Sequence, residues 1–159
     1  MTKSLICAFA LLIATPVSAQ TNINLGGLSA DPTAPVEVSA DSLTVDQDSG
    51  TAVFSGNVLI GQGDLRLSAG QVRVVYDGAT GDIARLIASG GATFVTATEA
   101  AEAQEADYDL VSGTLTLRGD VLLTQGASAL SADEMTVNLN DGTAQMTGRV
   151  RTTFQQGGN

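Results

Sequence analysis

Paired acidic residues are the side chains in this sequence whose types and spacing best suit chemistry. The pairs are Asp46 with Asp48, Asp107 with Asp109, and Asp133 with Glu134. Two neighbouring carboxylates can act as a general acid and a general base, but only in a pocket that shifts their pKa values. Each pair lies instead at a predicted turn or at an outward strand position, where a carboxylate stays in water and has no desolvation cost. These acids therefore predict a polar surface, not a catalytic pair.

Other catalytic and metal-binding groups are missing from the sequence. It contains no His, and its one Cys, Cys7, lies near the N-terminus. A Ser-His or Cys-His nucleophile and an imidazole metal site are therefore excluded. No Asp-x-Asp-x-Asp-Gly calcium loop is present, and Gly61-Gln62-Gly63 lies between two predicted strands, which indicates a turn or bulge and not a phosphate-binding loop. The sequence predicts a non-enzymatic protein without a cofactor or a metal.

Residues 1–19 have the pattern of a cleaved signal peptide. Lys3 precedes an apolar stretch over 4–14 that is too short to span a bilayer, and Val17-Ser18-Ala19 has the small residues of a cleavage site. Retention of this stretch as an inner-membrane anchor is the alternative. We expect residues 20–34 to form a flexible leader, 35–154 to form one domain, and 155–159 to form a disordered tail.

The charge balance excludes two classes of partner. Residues 20–159 contain six arginines and seventeen acidic residues, which gives a net charge of −11. No basic face is available to neutralise nucleic-acid phosphates. The same charge disfavours simple docking on an anionic membrane surface.

A four-fold repeat is the most informative feature of the chain. An Ala-x-x-apolar-x-apolar pattern starts at Ala40, Ala69, Ala103 and Ala132. A glycine follows each alanine by 16, 21, 16 and 16 residues, at Gly56, Gly90, Gly119 and Gly148. Between them lie the hairpin-turn dipeptides Ser49-Gly50, Asp77-Gly78, Ser112-Gly113 and Asp141-Gly142. Such a register predicts tandem structural units that stack along one axis.

The period within each unit is two, which predicts strands. Apolar and polar residues alternate in the units, and no proline follows Pro35, as a continuous sheet requires. The Ala- and Glu-rich segment 99–105 is interpreted as a loop entering a strand. Since the sheet has one apolar face that must be covered, we expect an all-β sandwich or jelly roll. The covered face is either an ordinary core or, given its few aromatic residues, a groove that opens for lipid tails.

Several segments resemble the periplasmic lipopolysaccharide-transport proteins of the OstA-like type. They are residues 35–41, 51–58 and 62–69, with Phe54-Ser55-Gly56-Asn57-Val58 followed by Gln62-Gly63 as the most characteristic part. The motif recurs as Leu117-Arg118-Gly119-Asp120-Val121 with Gln125-Gly126, and as Met146-Thr147-Gly148-Arg149-Val150. The resemblance covers residues 35–154. It implies an open, twisted β-jelly roll of antiparallel strands that holds lipid acyl chains between its sheets.

The resemblance also implies a function and a set of partners. The protein would bind lipopolysaccharide in the periplasm and pass it from the inner to the outer membrane. Its partners would be an inner-membrane-anchored jelly-roll protein and the jelly-roll domain of an outer-membrane translocon, with possible head-to-tail self-association and no nucleic acid. Arg66, Arg73, Arg85 and Arg118 are the candidates for phosphate contacts. A structural or adhesive secreted β-repeat protein without lipid cargo is the alternative.

Two sets of site residues follow from the alternation together with the resemblance. The lipid-binding groove would contain Val38, Leu43, Val45, Phe54, Val58, Ile60, Leu65, Leu67, Val72, Val74, Phe94, Leu117, Val121, Leu130, Met135, Val137 and Met146. The edge strands that join partners would contain Val36, Val38, Ala40, Val150, Thr152 and Phe154.

Overall fold

The computed structural model describes residues 22–24 and 33–153, which form twelve strands and no helix. The strands are β1 (Asn22–Asn24), β2 (Val36–Ser39), β3 (Ser42–Asp46), β4 (Thr51–Gln62), β5 (Leu65–Tyr76), β6 (Ile83–Val95), β7 (Glu99–Ala103), β8 (Glu105–Asp109), β9 (Thr114–Gln125), β10 (Ser128–Asn138), β11 (Thr143–Thr147) and β12 (Arg151–Thr153). No helix in this part of the chain has the length and apolar character needed to cross a membrane. The predicted signal peptide and tail lie outside the described residues.

All twelve strands belong to one antiparallel sheet. Its order is β1-β11-β10-β9-β7-β6-β5-β4-β2, with β12 on β10, β3 on β4, and β8 between β6 and β9. Three pairs of short strands, β2 with β3, β7 with β8, and β11 with β12, each follow the length of a longer neighbour. Each pair therefore acts as one interrupted strand, and the predicted all-β fold is confirmed.

Tight turns connect the strands at the dipeptides that the sequence indicated. Gly50, Gly113 and Gly142 occupy the turns after β3, β8 and β10 with φ angles of +61°, +67° and +70°. The longer connection between β5 and β6 spans residues 77–82 and contains Gly81 at φ +78°. The extra residues of the second repeat are thus accommodated in this connection.

A line of corners crosses the sheet at the glycines that end the repeats. Positive φ angles occur in consecutive residues at Gly56-Asn57, Gly90-Gly91, Gly119-Asp120 and Gly148-Arg149. At the third corner the Gln104 N–H donates to the Gly119 carbonyl oxygen over 3.0 Å. A Cβ atom added to Gly119 would lie 2.9 Å from the Gln104 side chain, so both space and backbone conformation require glycine there. The Ala-to-Gly spacing of the repeat therefore encodes a bend in the sheet.

Polar side chains connect the two strands at three of the corners. Asn57 Nδ2 donates to Asp41 Oδ2 (2.8 Å), Gln104 Nε2 to Asp120 Oδ2 (2.7 Å), and Arg149 Nε to Asp133 Oδ1 (2.9 Å). The second corner, between β5 and β6, brings Gly70 against Gly90, where a Cβ on Gly70 would lie 3.1 Å from the Gly90 carbonyl oxygen. This corner consists of glycine backbone, without a side-chain hydrogen bond across the bend.

The corners divide the sheet into two arms that pack face to face. We call the part with β2, β7 and β12 the first arm, and the part with β1, β3, β8 and β11 the second arm. Along β5, Leu65 and Val74 belong to different arms and would lie about 30 Å apart in a flat strand. Both are nevertheless buried in one hydrophobic core. The inner faces of the arms therefore form the two sides of that core.

One expectation for local structure was wrong. Within the predicted leader 20–34, the described residues 22–24 form β1, which pairs with β11 at Asn22↔Gln145, Ile23↔Ala144 and Asn24↔Thr143, and the flexibility of the leader stays a prediction. The segment 99–105, predicted as a loop, contributes β7 and the first residue of β8. These residues lie between β6 and β9, whose backbone N–H and C=O groups need hydrogen-bonding partners on that side. The hydrogen bonds gained with both long strands outweigh the weak strand propensity of Ala and Glu.

Candidate lipid-binding groove

The inner faces of the two arms hold most of the residues predicted for the groove. Val38 and Phe54 are half-buried, and Leu43 and Val45 are exposed. The other thirteen are buried: Val58, Ile60, Leu65, Leu67, Val72, Val74, Phe94, Leu117, Val121, Leu130, Met135, Val137 and Met146. Cross-strand register explains why alternation predicted this surface, because paired residues of an antiparallel sheet share a face.

Other inner-face residues were missed although they obey the same alternation. Leu86 and Ala88 on β6, Leu115 and Leu123 on β9, and Tyr108 on β8 are all buried. Small side chains also cover much of this surface, including Ala52, Ala69, Ala92, Ala101, Ala103, Ala106, Ala132 and Ala144. Period two along the strands places these residues on the inner face, so the alternation was sufficient to find them.

The apolar inner face continues beyond the covered core at β3. Leu43 pairs with Phe54 and Val45 pairs with Ala52, so both lie on the face that the core uses. Ala52 is buried, yet Leu43 is 53 % and Val45 59 % exposed. The second arm thus presents uncovered apolar surface at this end of the sheet.

A pair of polar side chains lies inside the core where the arms meet. Gln62 and Tyr108 are 5 % and 6 % exposed, and the Tyr108 hydroxyl donates to Gln62 Oε1 over 3.3 Å. Gln62 Nε2 donates to the Ala34 carbonyl oxygen, also over 3.3 Å. Burial raises the pKa of the Tyr108 phenol above its ordinary value of 10.0. Both groups are therefore neutral hydrogen-bonding partners at physiological pH.

The space beside this pair is small. A cavity of about 10 Å³ is lined by Val36, Ile60, Gln62, Leu65, Leu67, Leu86, Phe94 and Tyr108, which come from both arms. That volume is about the room that one water molecule needs. The interior is consequently filled by its own side chains in this conformation.

A second polar pair, formed by a buried glutamate and a half-buried glutamine, lies at the rim of the first arm. Glu99 is 3 % exposed, and Gln125 Nε2 donates to its Oε1 over 2.6 Å across the β7–β9 pair. This bond connects the end of β9 to the start of β7. The rim of the first arm is therefore held by hydrogen bonds between amide and carboxylate groups.

The arginines lie on the outer face, and several are already ion-paired. Arg85 pairs with Asp107, and Arg118 Nε lies 3.0 Å from Glu134 Oε2. The hydrogen bonds that Arg85 donates to the Asp107 carboxylate raise the pKa of Arg85. Arg66 donates to the carbonyl oxygens of Gly63 and Leu65. Among the four predicted phosphate candidates, Arg85 and Arg118 are thus committed to acidic neighbours.

The second arm carries an acidic rim at its turns. Asp46, Asp48, Asp77, Asp82, Asp109 and Asp141 lie in or beside the connections after β3, β5, β8 and β10. Backbone N–H groups hold several of these carboxylates; Asp77 Oδ1, for example, accepts from Ala79 over 2.7 Å and from Thr80 over 3.1 Å. Within residues 33–153, no group of three or more His, Cys, Asp or Glu is placed to hold a metal ion.

The predicted partner strands lie at opposite ends of the sheet. β2 contains Val36 and Val38 and ends just before Ala40, whereas β12 contains Thr152 and begins just after Val150. Phe154 lies outside the described residues. In the part of the chain that the structure describes, β2 pairs only with β4 and β12 only with β10. Each strand therefore presents one edge of unpaired backbone groups.

Comparison with known proteins agrees with this architecture. Residues 37–156 match the model of the family described as "LptA/(LptD N-terminal domain) LPS transport protein". An uncharacterised protein of Rhizobium meliloti (strain 1021) is 29 % identical over 146 residues, covering 86 % of this chain and 78 % of the relative. Among solved structures, LptH, the LptA-homologous periplasmic component of the lipopolysaccharide transport device of Pseudomonas aeruginosa, superposes with a TM-score of 0.72. The match has 17 % identity and covers 80 % of this chain and 99 % of LptH. The predicted β-jelly roll is confirmed.

Proposed function

Because this chain belongs to the LptA/LptD N-terminal family of lipopolysaccharide transport proteins, we propose that it binds lipopolysaccharide by its acyl chains, between the two arms. The family is one of non-enzymatic transport proteins. In this proposal the chain works in the periplasm, to which residues 1–19 direct it, and passes lipopolysaccharide from the inner to the outer membrane.

The uncovered apolar strip on β3 is the observation that carries the proposal. Leu43 and Val45 continue the inner face of the core but remain more than half exposed. Each acyl methylene moved from water to such a surface gains about 0.8 kcal/mol. A chain of many methylenes that entered here could then slide along one continuous apolar face. We therefore place the entrance or exit of the groove at β3.

The composition of the inner face supports opening of the arms. The cavity beside Gln62 is far too small for an acyl chain, so lipid can enter only when the arms move apart. Alanine and valine occupy many inner positions, and the inner face carries few aromatic rings. Small side chains lose less buried area on separation than large aromatic ones do. The arms can therefore open at moderate cost, which the bound acyl chains offset.

The charges on the outer face indicate how the protein would interact with the sugar and phosphate groups of lipopolysaccharide. Arg85 and Arg118 are paired with acidic residues, and residues 20–159 carry a net charge of −11. Strong phosphate binding by a basic rim is therefore disfavoured. We infer that recognition rests on the acyl chains, while the headgroup stays in water.

The two unpaired strand edges indicate how the protein would connect the inner membrane to the outer membrane. A strand with free N–H and C=O groups can accept a further strand from another protein. We propose that β2 and β12 join the inner-membrane-anchored jelly-roll partner, the jelly-roll domain of the outer-membrane translocon, or further copies of this chain. Such joints would align the grooves of successive molecules.

Substitution of Phe54 tests lipid binding directly. Phe54 is half-buried on the inner face beside Leu43, and its neighbour Val53 is half-buried on the opposite face. A carboxylate among acyl chains has no partner, so Phe54→Asp should weaken lipopolysaccharide binding by about tenfold or more, equivalent to about 1.4 kcal/mol. Val53→Asp should bind almost normally.

Equilibrium binding of purified lipopolysaccharide to both folded variants measures the difference. If Phe54→Asp binds as tightly as Val53→Asp and the unsubstituted protein, the inner face is an ordinary core and the groove assignment is wrong.

A further inference from the structure

The hydrogen bond between Gln62 and Tyr108 connects the two arms at a position away from the corners. Gln62 is the last residue of β4 in the first arm, and Tyr108 is the penultimate residue of β8 in the second arm. Along their strands, both lie several residues away from the nearest corners, at Gly56-Asn57 and Gln104. The bond therefore spans the open side of the jelly roll, opposite the bend.

Breaking this bond inside the apolar interior would be unfavourable. Both side chains are more than nine-tenths buried, and the cavity beside them is lined by Ile60, Leu65 and Phe94 among others. A buried hydroxyl or amide that loses its partner incurs a desolvation cost until water or a ligand replaces that partner. The bond thus favours the conformation in which the arms are packed together.

The strands between the two residues contain the corner that lacks side-chain hydrogen bonds. The order β4-β5-β6-β8 places β5 and β6 between Gln62 and Tyr108. Their corner is formed by Gly70 and Gly90-Gly91, whereas Asn57–Asp41 and Gln104–Asp120 hold the corners on either side. Glycine backbone offers the least steric resistance to a change in bend angle. Among the corners at Gly56, Gly90 and Gly119, the one between β5 and β6 therefore offers the least resistance to a change in the angle between the arms.

We propose that the Gln62–Tyr108 hydrogen bond is a latch that keeps the arms together over the apolar interior and breaks when an acyl chain enters. The latch deepens the proposed function and rests on it. It also assigns Gln62 and Tyr108 a second role: in the open conformation Gln62 Oε1 and the Tyr108 hydroxyl lose each other as partners and can bond to a polar group on the entering lipid.

The test removes the hydroxyl and measures the separation of the arms without lipid. Tyr108→Phe keeps the buried ring and deletes one hydrogen bond, and Tyr76→Phe at an exposed tyrosine is the matched control. Cysteines at the exposed turn residues Asp64 and Val111, one on the rim of each arm, carry spin labels for pulsed distance measurements. The protein is produced from the full chain with Cys7→Ser, so that no native thiol competes for label.

We expect Tyr108→Phe to raise the population of long distances about two- to tenfold, the change produced by loss of one neutral hydrogen bond. Gln62→Leu removes the same bond together with the bond to the Ala34 carbonyl oxygen, so it should shift the population at least as far, and Tyr108→Phe should add little in the double variant. The rate of lipopolysaccharide uptake should rise by a similar factor. Folding of each variant is checked by circular dichroism.

A distance distribution for Tyr108→Phe and Gln62→Leu that matches Tyr76→Phe would overturn the latch. That result is independent of lipid. If the arms open in both latch variants but the unsubstituted protein binds no lipopolysaccharide, the bond holds the arms together as proposed, whereas the proposed function and the opening of the latch by lipid both fail.

Discussion

The aspartates in the turns of the second arm accept hydrogen bonds mainly from backbone N–H groups of the same turn. Asp109 Oδ1 accepts from the Ser112 N–H over 2.9 Å, and Asp141 Oδ1 accepts from the Thr143 N–H over 2.9 Å. Hydrogen bonds from backbone N–H groups lower the pKa of Asp77 and Asp109, and those from Thr143 lower the pKa of Asp141. These carboxylates therefore stabilise the turns that separate the strands.

Acid should remove this stabilisation. An Asp whose pKa is lower in the folded state contributes stability above its ordinary pKa of 3.8, and that contribution is lost as the pH falls through the folded value. Asp77→Asn keeps an oxygen that can accept from Ala79 and Thr80 but removes the titrating group. Denaturant midpoints between pH 2 and 7 should fall less steeply below pH 4 in this variant; an unchanged slope would refute the role of Asp77.

The sequence predicts most residues of the inner face, but it does not predict the contact between Gln62 and Tyr108. Val72, Val74 and Leu117 follow from alternation, because a period of two determines which face a strand residue occupies. The bond between Gln62 and Tyr108 joins residues 46 positions apart that are not paired in the sheet. Their contact depends on the bend angle, which no local pattern specifies.

At the scale of elements, the glycines that end the repeats lie at the corners, although the repeat by itself predicted stacked units and not a bend. Ala40 to Gly56 and Ala103 to Gly119 have the same spacing because each alanine precedes the residue, Asp41 or Gln104, that bonds to the glycine carbonyl. The error over 99–105 has a tertiary cause. A weak strand sequence becomes β7 because β6 and β9 both need a hydrogen-bonding neighbour.

The edge strands carry the prediction that belongs to this scale. Photo-crosslinkers at Val38 on β2 and at Thr152 on β12 should capture the jelly-roll partners or a second copy, because both strands have an unpaired edge in the described part of the chain. A crosslinker at Leu122, which is partly exposed in the middle of the sheet on β9, is the control. Mass spectrometry of the adducts identifies the partners. Capture from Leu122 alone would reject the edges as joints.

For the whole molecule, one continuous sheet provides both a covered interior and a path along it. The core spans the sheet from Ala52 on β4 to Ala144 and Met146 on β11. Beyond it, Leu43 and Val45 extend the apolar face to the edge of the sheet. An acyl chain that entered at β3 would find apolar side chains along the length of the molecule. We therefore propose that lipid lies between the arms and not on the outer face.

Labelling by lipopolysaccharide with a photoreactive group in its acyl chains tests that claim in the unsubstituted protein. Leu59 and Ile60 are adjacent on β4, but Leu59 is 56 % exposed on the outer face and Ile60 is buried on the inner face. Peptide mass spectrometry should find label on Ile60, Val58 and Phe54, with a period of two along the strand. Label concentrated on Leu59, or spread equally over both faces, would show that the lipid adheres to exposed apolar surface and would contradict the groove.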